Sequence, residues 1–101
     1  MTETITQQQL EAALIARHGR ERWQRLQSAC VGIAGLGGLG SNIAVQLTRL
    51  GIGRLILADY DRVELSNLNR QNYRFCDVGK PKTDALTEQL RQINPYLACE
   101  P

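Results

Sequence analysis

Four glycines within seven residues, GLGGLGS at 35–41, leave this chain few folds to adopt, because the segments on either side have different periods. Before them, CVGIA (Cys30–Ala34) is an apolar run without alternation, the pattern of a strand covered on both faces. After them, Leu39, Ile43, Leu47 and Leu50 recur at helical spacing, with Ala44 and Val45 filling between, and predict a helix whose apolar face carries those side chains. Gly51 suits a left-handed cap at its end. RLILA (Arg54–Ala58) predicts a second strand that runs into Asp59-Tyr60-Asp61. Strand, glycine turn, helix and strand together make one right-handed βαβ unit.

Residues 4–28 predict helix in two pieces interrupted at Gly19. Leu10 and Leu14, with Ala13 beside them, form one stripe; Trp23 and Leu26 form another in an otherwise polar segment. Trp23 reads as a packing anchor, and His18 as a helix-surface or packing residue. Residues 62–79 are polar and long for a structureless connection, and loops of that length are often functional. Lys80-Pro81-Lys82 opens another helix with Pro81 in its first turn. Leu86, Leu90 and Ile93 give that helix its core face, and Asn94-Pro95 stops it. Residues 97–100 (LACE) predict a third strand. The predicted class is α/β: a helical lead-in over 1–28, then a βαβαβ nucleotide-binding region over 29–101, incomplete at its C-terminus. The first strand carries none of the Lys or Pro that guard exposed sheet edges, so the chain reads as the N-terminal half of a larger domain.

Composition narrows the function. Twelve basic residues against ten acidic ones, net +2, are too balanced for a chain whose main partner is a polyanion, which excludes nucleic acid in that role. No apolar run approaches the roughly 20 residues of a membrane helix. Residues 1–19 lack the basic-then-apolar order of a secretory signal. Cys30, Cys76 and Cys99 are odd in number and far apart, which excludes a disulfide scaffold or a CxxC zinc site and points to a reducing cytoplasm. Cys30 is expected to be buried in its strand, and Cys76 to be an ordinary loop thiol.

The candidate chemistry begins at the turn. Gly35, Gly37 and Gly38, leading into a helix, put several backbone N–H groups and the positive end of the helix dipole at one spot, as a phosphate site requires. The plainer alternative is a tight turn that needs glycine for its dihedrals. Asp59 stands 19 residues past Gly40, where a carboxylate can accept both ribose hydroxyls of an adenosine across the strand ends. Its alternative is a solvated turn residue. Asp61 shares that direction or caps the turn. These features alone suit a nicotinamide or flavin oxidoreductase equally well. Ser66-Asn67-Leu68-Asn69-Arg70-Gln71, followed by Lys80 and Lys82, separates the readings, since a triphosphate gains from Arg and Lys more than a dinucleotide pyrophosphate does. Lys82 falls in a helix first turn, where the dipole disfavours a cation. It marks a nearby anion or points to water.

GLGGLGS, GIGRLILADYDRVELSNLNRQ, DVGKPK and INP resemble the ATP-binding core of the ThiF and MoeB family, bacterial relatives of ubiquitin-activating enzymes, over about residues 15–98. The wording is closer to ThiF-like members. The resemblance implies a Rossmann-like ATP-binding domain of the ubiquitin-activating-enzyme type. It also implies an adenylyltransferase in which the C-terminal glycine of a ThiS-like sulfur carrier attacks the α-phosphate of Mg·ATP, for thiamine biosynthesis. It places Gly35, Gly37 and Gly38 at the phosphates, Asp59 at the ribose, and Asn67, Arg70 and Lys82 at the triphosphate; Gln71 matches the same motif, and Asp61 joins the nucleotide-binding set beside Asp59. Arg70 and Lys82 would be catalytic. So would Arg17 (or Arg20), reaching the nucleotide of a second subunit in a homodimer. The resemblance puts the magnesium ligand beyond residue 101. Such chemistry needs no general base, because a carboxylate is already ionised at pH 7. Positioning and charge neutralisation suffice. A non-catalytic nucleotide-binding or dimerisation piece is the remaining alternative.

Overall fold

The computed structural model describes residues 5–101, so residues 1–4 of the predicted lead-in, with the first position of its predicted helix, lie outside the described residues. Helix α1 (Gln7–His18) and helix α2 (Arg20–Ser28) meet at Gly19, whose φ of 84° explains the predicted interruption. A capping box starts α1: the Gln9 N–H donates to Thr6 Oγ1 (3.2 Å) and the Thr6 N–H to Gln9 Oε1 (2.8 Å). There follow β1 (Cys30–Ala34), α3 (Gly38–Leu50), β2 (Arg54–Ala58), α4 (Lys82–Ile93) and β3 (Ala98–Glu100). The three strands are parallel, in the order β1-β2-β3, so β1 lies at an edge. Gly51 ends α3 in the left-handed region as expected (φ 97°, ψ 27°).

The first helix begins at Gln7, after its Thr6 cap, and two later boundaries also differ from the expectation. β3 begins at Ala98, because Leu97 is buried in the core while its N–H closes a turn to Asn94 O at 3.2 Å. Pro81 is the N-cap of α4, not a first-turn residue, since its ψ of 136° is extended and the helix starts at Lys82.

The larger corrections concern which faces are buried. β1 and β2 are not covered on both sides. Leu55 and Leu57 of β2 are buried, whereas Arg54, Ile56 and Ala58 are exposed, and in β1 Cys30, Gly32 and Ala34 are exposed. Cys30, expected in the interior, therefore sits on the open face. Right-handed crossovers that step from β1 to β2 to β3 in one direction put both α3 and α4 on the same side of the sheet. Those two helices pack on each other and on the strands.

Helix α3 also turns a different face inward. Its buried residues are Ser41, Ala44, Val45 and Thr48, while Leu39 (77% exposed), Ile43 and Leu50 face outward and Leu47 is half-buried. Small side chains let the helix approach the sheet closely. At Gly40 a Cβ would stand 1.9 Å from Gly35 O. The two buried hydroxyls are satisfied within the helix, Thr48 Oγ1 donating to Ala44 O (2.8 Å) and Ser41 Oγ to Gly37 O (2.5 Å).

The polar stretch after β2 is an ordered lobe. An antiparallel bridge between Arg62 and Pro81 closes its neck, with Val63 N–H donating to Lys80 O (2.9 Å) and Gly79 N–H to Val63 O (2.8 Å). Inside it are two short 3-10 turns, Leu65–Asn67 and Phe75–Asp77. Val63 and Tyr73 send their side chains into the core shared by Leu36, Leu55, Leu86 and Leu90. Asp77 is fully buried and accepts from Arg74 three times: backbone N–H (2.9 Å), Nε (3.1 Å) and Nη2 (3.1 Å). No helix among the described residues is long and apolar enough to cross a membrane.

Candidate functional site

The C-terminal ends of β1 and β2 bring the predicted residues together. Gly35, at φ 90°, leaves β1 while its N–H still donates to Ala58 O (2.8 Å). Leu36 is fully buried, and both of its peptide groups are hydrogen-bonded to side chains. Its N–H donates to Asp59 Oδ2 (2.6 Å), and its carbonyl accepts from the Tyr73 hydroxyl (2.7 Å). Asp59 Oδ1 accepts from the Asp61 N–H (2.7 Å). Asp59 is thus a brace between the glycine turn and the end of β2. Each oxygen keeps lone-pair capacity for one further donor, as a ribose hydroxyl would supply. A cleft of about 330 Å³ opens there, lined by Ala34, Gly35, Ala58, Asp59, Tyr60 and Asp61. A second hollow of about 340 Å³ continues past Gly37, Gly40, Leu39 and Ile43. A hollow of about 500 Å³ beside α4 and the end of β3, lined by Asp84, Glu88, Arg91 and Pro101 among others, gathers none of these residues.

The lobe lies against the turn. A Cβ on Gly37 would stand 3.7 Å from Gln71 Nε2, and one on Gly38 3.4 Å from Arg70 O. Gln71 Oε1 is buried there without a hydrogen-bond partner. Asn72 donates its N–H to Ser41 Oγ (3.1 Å), and its side-chain amide donates to Asn42 Oδ1. Asn67 is buried and its Oδ1 accepts the Glu64 N–H (3.0 Å), so it shapes the first 3-10 turn. The Arg70 guanidinium is exposed and folds back on its own loop, Nη1 donating to Asn69 Oδ1 (3.2 Å). Lys82 does not face water: its side chain is only 8% exposed, and Nζ lies 4.0 Å from Asp61 Oδ2.

Arg17 is the predicted residue that this chain does not bring to the site. It is exposed on α1, which packs on the turns preceding β2 and β3 through Leu10 and Leu14, beside Ile52, Asn94 and Tyr96. Those turns lie at the strand N-termini, the end opposite Asp59. Five further contributors lie outside the predicted set: the Leu36 main chain, Ser41, Asn42, Asn72 and Tyr73. The usable signal was position, two polar residues opening α3 directly after the glycines and two directly after Gln71.

Burial, reinforced by the negative charges of Asp59 and Asp77, pushes the Tyr73 phenol well above its ordinary range, so it remains a protonated donor. The site's carboxylates do not by themselves make a magnesium site. Asp59 is engaged by two backbone N–H groups, and no three metal-ligating side chains converge among the described residues. Magnesium usually combines one or two carboxylates with substrate phosphates.

A glycine turn, an end-of-strand carboxylate and a buried lysine at the C-terminal edge of a parallel sheet define a Rossmann-like α/β domain with a nucleotide-sized cleft. The chain belongs to the ThiF family, whose model matches residues 7–101. Over 80 residues it is 49% identical to ubiquitin-like modifier-activating enzyme 5 of Arabidopsis thaliana, covering 79% of this chain and 19% of that protein. The Rattus norvegicus protein of the same name is 45% identical over 78 residues, 77% of this chain and 19% of that one. The chain thus spans about a fifth of the length of these curated relatives. Among solved structures, the E. coli tRNA N6-threonylcarbamoyladenosine dehydratase TcdA in complex with ATP superposes with a TM-score of 0.86 at 32% identity, over 97% of this chain and 42% of that one. E. coli MccB with ATP superposes with a TM-score of 0.75 at 38% identity, over 77% of this chain and 24% of that one.

Proposed function

We propose that this chain is the nucleotide-binding part of an enzyme that uses ATP to adenylate the C-terminal carboxylate of a ubiquitin-like protein. The observation that carries this reading is Lys82, a cation buried in a helix first turn beside the cleft, with a carboxylate at 4.0 Å as its nearest charge partner. An ammonium held there against both burial and the helix dipole is explained by a polyanion arriving next to it. A dinucleotide cofactor leaves Lys82 and Arg70 without a task. Solved relatives that carry ATP, and relatives named for activating ubiquitin-like modifiers, support the same choice.

In this reading Asp59 holds the ribose, and the N–H groups of Gly37 and Gly38 with Lys82 face the phosphates. Asn67 shapes the loop that carries Arg70 and Gln71, and Arg70 unfolds from Asn69 to grip the triphosphate. The substrate carboxylate attacks the α-phosphorus. The bond to the bridging oxygen breaks, pyrophosphate leaves with that electron pair, and an acyl-adenylate remains. Preplaced cations stabilise the charge that builds on the phosphoryl oxygens. Magnesium would enter with the triphosphate. Arg17 serves only in trans, from a second copy, so a homodimer is part of the proposal. The division at residue 28 and a reducing cytoplasmic setting, suited to three free thiols, belong to it too.

The narrower form, a ThiS-like sulfur carrier for thiamine synthesis, rests on the wording of the glycine motif. A carboxylate carried on RNA, a partner that the balanced charge of this chain disfavours, is the second substrate class. The tRNA-modifying neighbour favours it by matching nearly the whole chain, including the two N-terminal helices.

ATP–pyrophosphate exchange tests this, with the chain alone, with ThiS-like and other ubiquitin-like proteins ending in glycine, and with tRNA bearing a carboxylate-modified base. Exchange should require a ubiquitin-like protein. Arg70→Ala and Lys82→Ala should each lower it about 10-fold to 100-fold, and Arg91→Ala, in the hollow beside α4, less than about twofold. Tighter binding of NADH than of ATP would overturn the reading.

A further inference from the structure

The geometry points to Tyr73 as a positioning residue for phosphate recognition, its hydroxyl orienting the Leu36–Gly37 peptide so that the Gly37 N–H faces the incoming nucleotide. This rests on the nucleotide reading and adds a residue that the motifs do not single out. In a trans peptide the carbonyl and the N–H point in opposite directions, and the chain has no cis bonds among the described residues. Tyr73 Oη donates to Leu36 O at 2.7 Å, so the Gly37 N–H is aimed away from Tyr73. Ser41 Oγ donates to Gly37 O at 2.5 Å and is itself fixed by the Asn72 N–H at 3.1 Å, which aims the Gly38 N–H in the same manner. Asp59 holds the preceding Leu36 N–H at 2.6 Å. Three consecutive peptide groups are thereby set by side chains. The Gly37 and Gly38 N–H groups are left without a protein acceptor among the described residues, at the start of α3 where an anion is favoured.

The arrangement is specific to a hydroxyl. The Tyr73 ring fills core volume that a phenylalanine fills equally, but the buried Leu36 carbonyl needs a donor. Without one the peptide is free to rotate, and a rotated peptide presents an oxygen where phosphate oxygens must lie. Phosphate binding should suffer while ribose binding, which runs through Asp59, should not.

The test titrates ATP and adenosine separately into the chain and into Tyr73→Phe, with thermal unfolding of each. ATP affinity should fall about tenfold in Tyr73→Phe, while adenosine affinity stays within about twofold. Ser41→Ala, which removes the second hydroxyl, should show the same selectivity and decides the matter if Tyr73→Phe does not fold. Unchanged ATP affinity in Tyr73→Phe, or an equal loss for ATP and adenosine, overturns the assignment and leaves a core residue. Failure of the unaltered chain to bind ATP at all overturns the nucleotide reading itself.

Discussion

Gly40→Ala should destabilise the chain by about 3 kcal/mol or more and abolish nucleotide binding, the upper end of what overpacking does. The added methyl would sit 1.9 Å from Gly35 O and 3.4 Å from Ile33 Cγ2. The first of these neighbours is backbone, and it is already anchored by Gly35 N–H to Ala58 O and Leu36 N–H to Asp59. Neither helix nor turn can retreat without breaking those bonds or lifting Ala44 and Val45 off the sheet. For a domain with a total stability of about 5–15 kcal/mol the loss is a large share. Gly37→Ala is the informative control. Its Cβ would meet only Gln71 Nε2 at 3.7 Å, an ordinary contact, so the fold should persist while ATP affinity drops. Urea unfolding of the two variants, with ATP titration of each, checks this. Equal stability in Gly40→Ala and Gly37→Ala would show that the helix can slide.

Asp77→Ala should lower stability at pH 7 by about 2–3 kcal/mol, the range for hydrogen bonds to a charged group. The melting temperature should fall by about 10–20 °C. Asp77 is fully buried and ties Arg74 at both its backbone and its guanidinium, with Lys80 Nζ at 3.7 Å. It therefore holds the second 3-10 turn, between Tyr73 and the neck that leads to Lys82. Its loss should weaken ATP binding indirectly. The pH dependence has a definite sign. Burial alone would raise the Asp77 carboxyl, but hydrogen bonds from the Arg74 side chain and backbone, with the charges of Arg74 and Lys80, outweigh it and hold the group below its usual range. Its stabilisation is complete above the unfolded pKa of about 4 and fades as pH falls from there through the folded value. Unfolding measured at pH 7 and pH 3 should show a large difference between the unaltered chain and Asp77→Ala at the first and a smaller one at the second. The same difference at both would remove the carboxylate charge from the explanation.

Much of the candidate site could be read in advance because its parts are adjacent along the chain. Gly35, Gly37 and Gly38 are joined to β1, and Asp59 to β2. In a parallel βαβ unit the two strand ends are neighbours, so the turn and the carboxylate meet without any further assumption. Lys82 was legible as an anomaly, a cation where the helix dipole opposes one. Its burial beside Asp61 depends on the neck between 61–63 and 79–82, which no local pattern announces. Arg70 shows the converse. Its motif is specific, yet its guanidinium lies folded on its own loop, against Asn69 Oδ1 and Ser66 O. Arg17 lies away from the site because α1 is packed at the far end of the strands.

Periodicity, glycine placement and capping chemistry act over a few residues, so the order of elements, the break at Gly19, the left-handed end of α3 and the parallel βαβ path could all be taken from the chain as written. The inward face of α3 could not. A helical stripe of Leu39, Ile43 and Leu50 is as apolar as one would ask of a core, but Ala44, Ser41 and Thr48 allow the closer approach that Gly40 permits, and packing distance belongs to two surfaces at once. For the same reason the open face of the sheet, and the hydroxyl of Tyr73 against a carbonyl 37 residues away in sequence, emerge only when the crossovers have placed their elements in space.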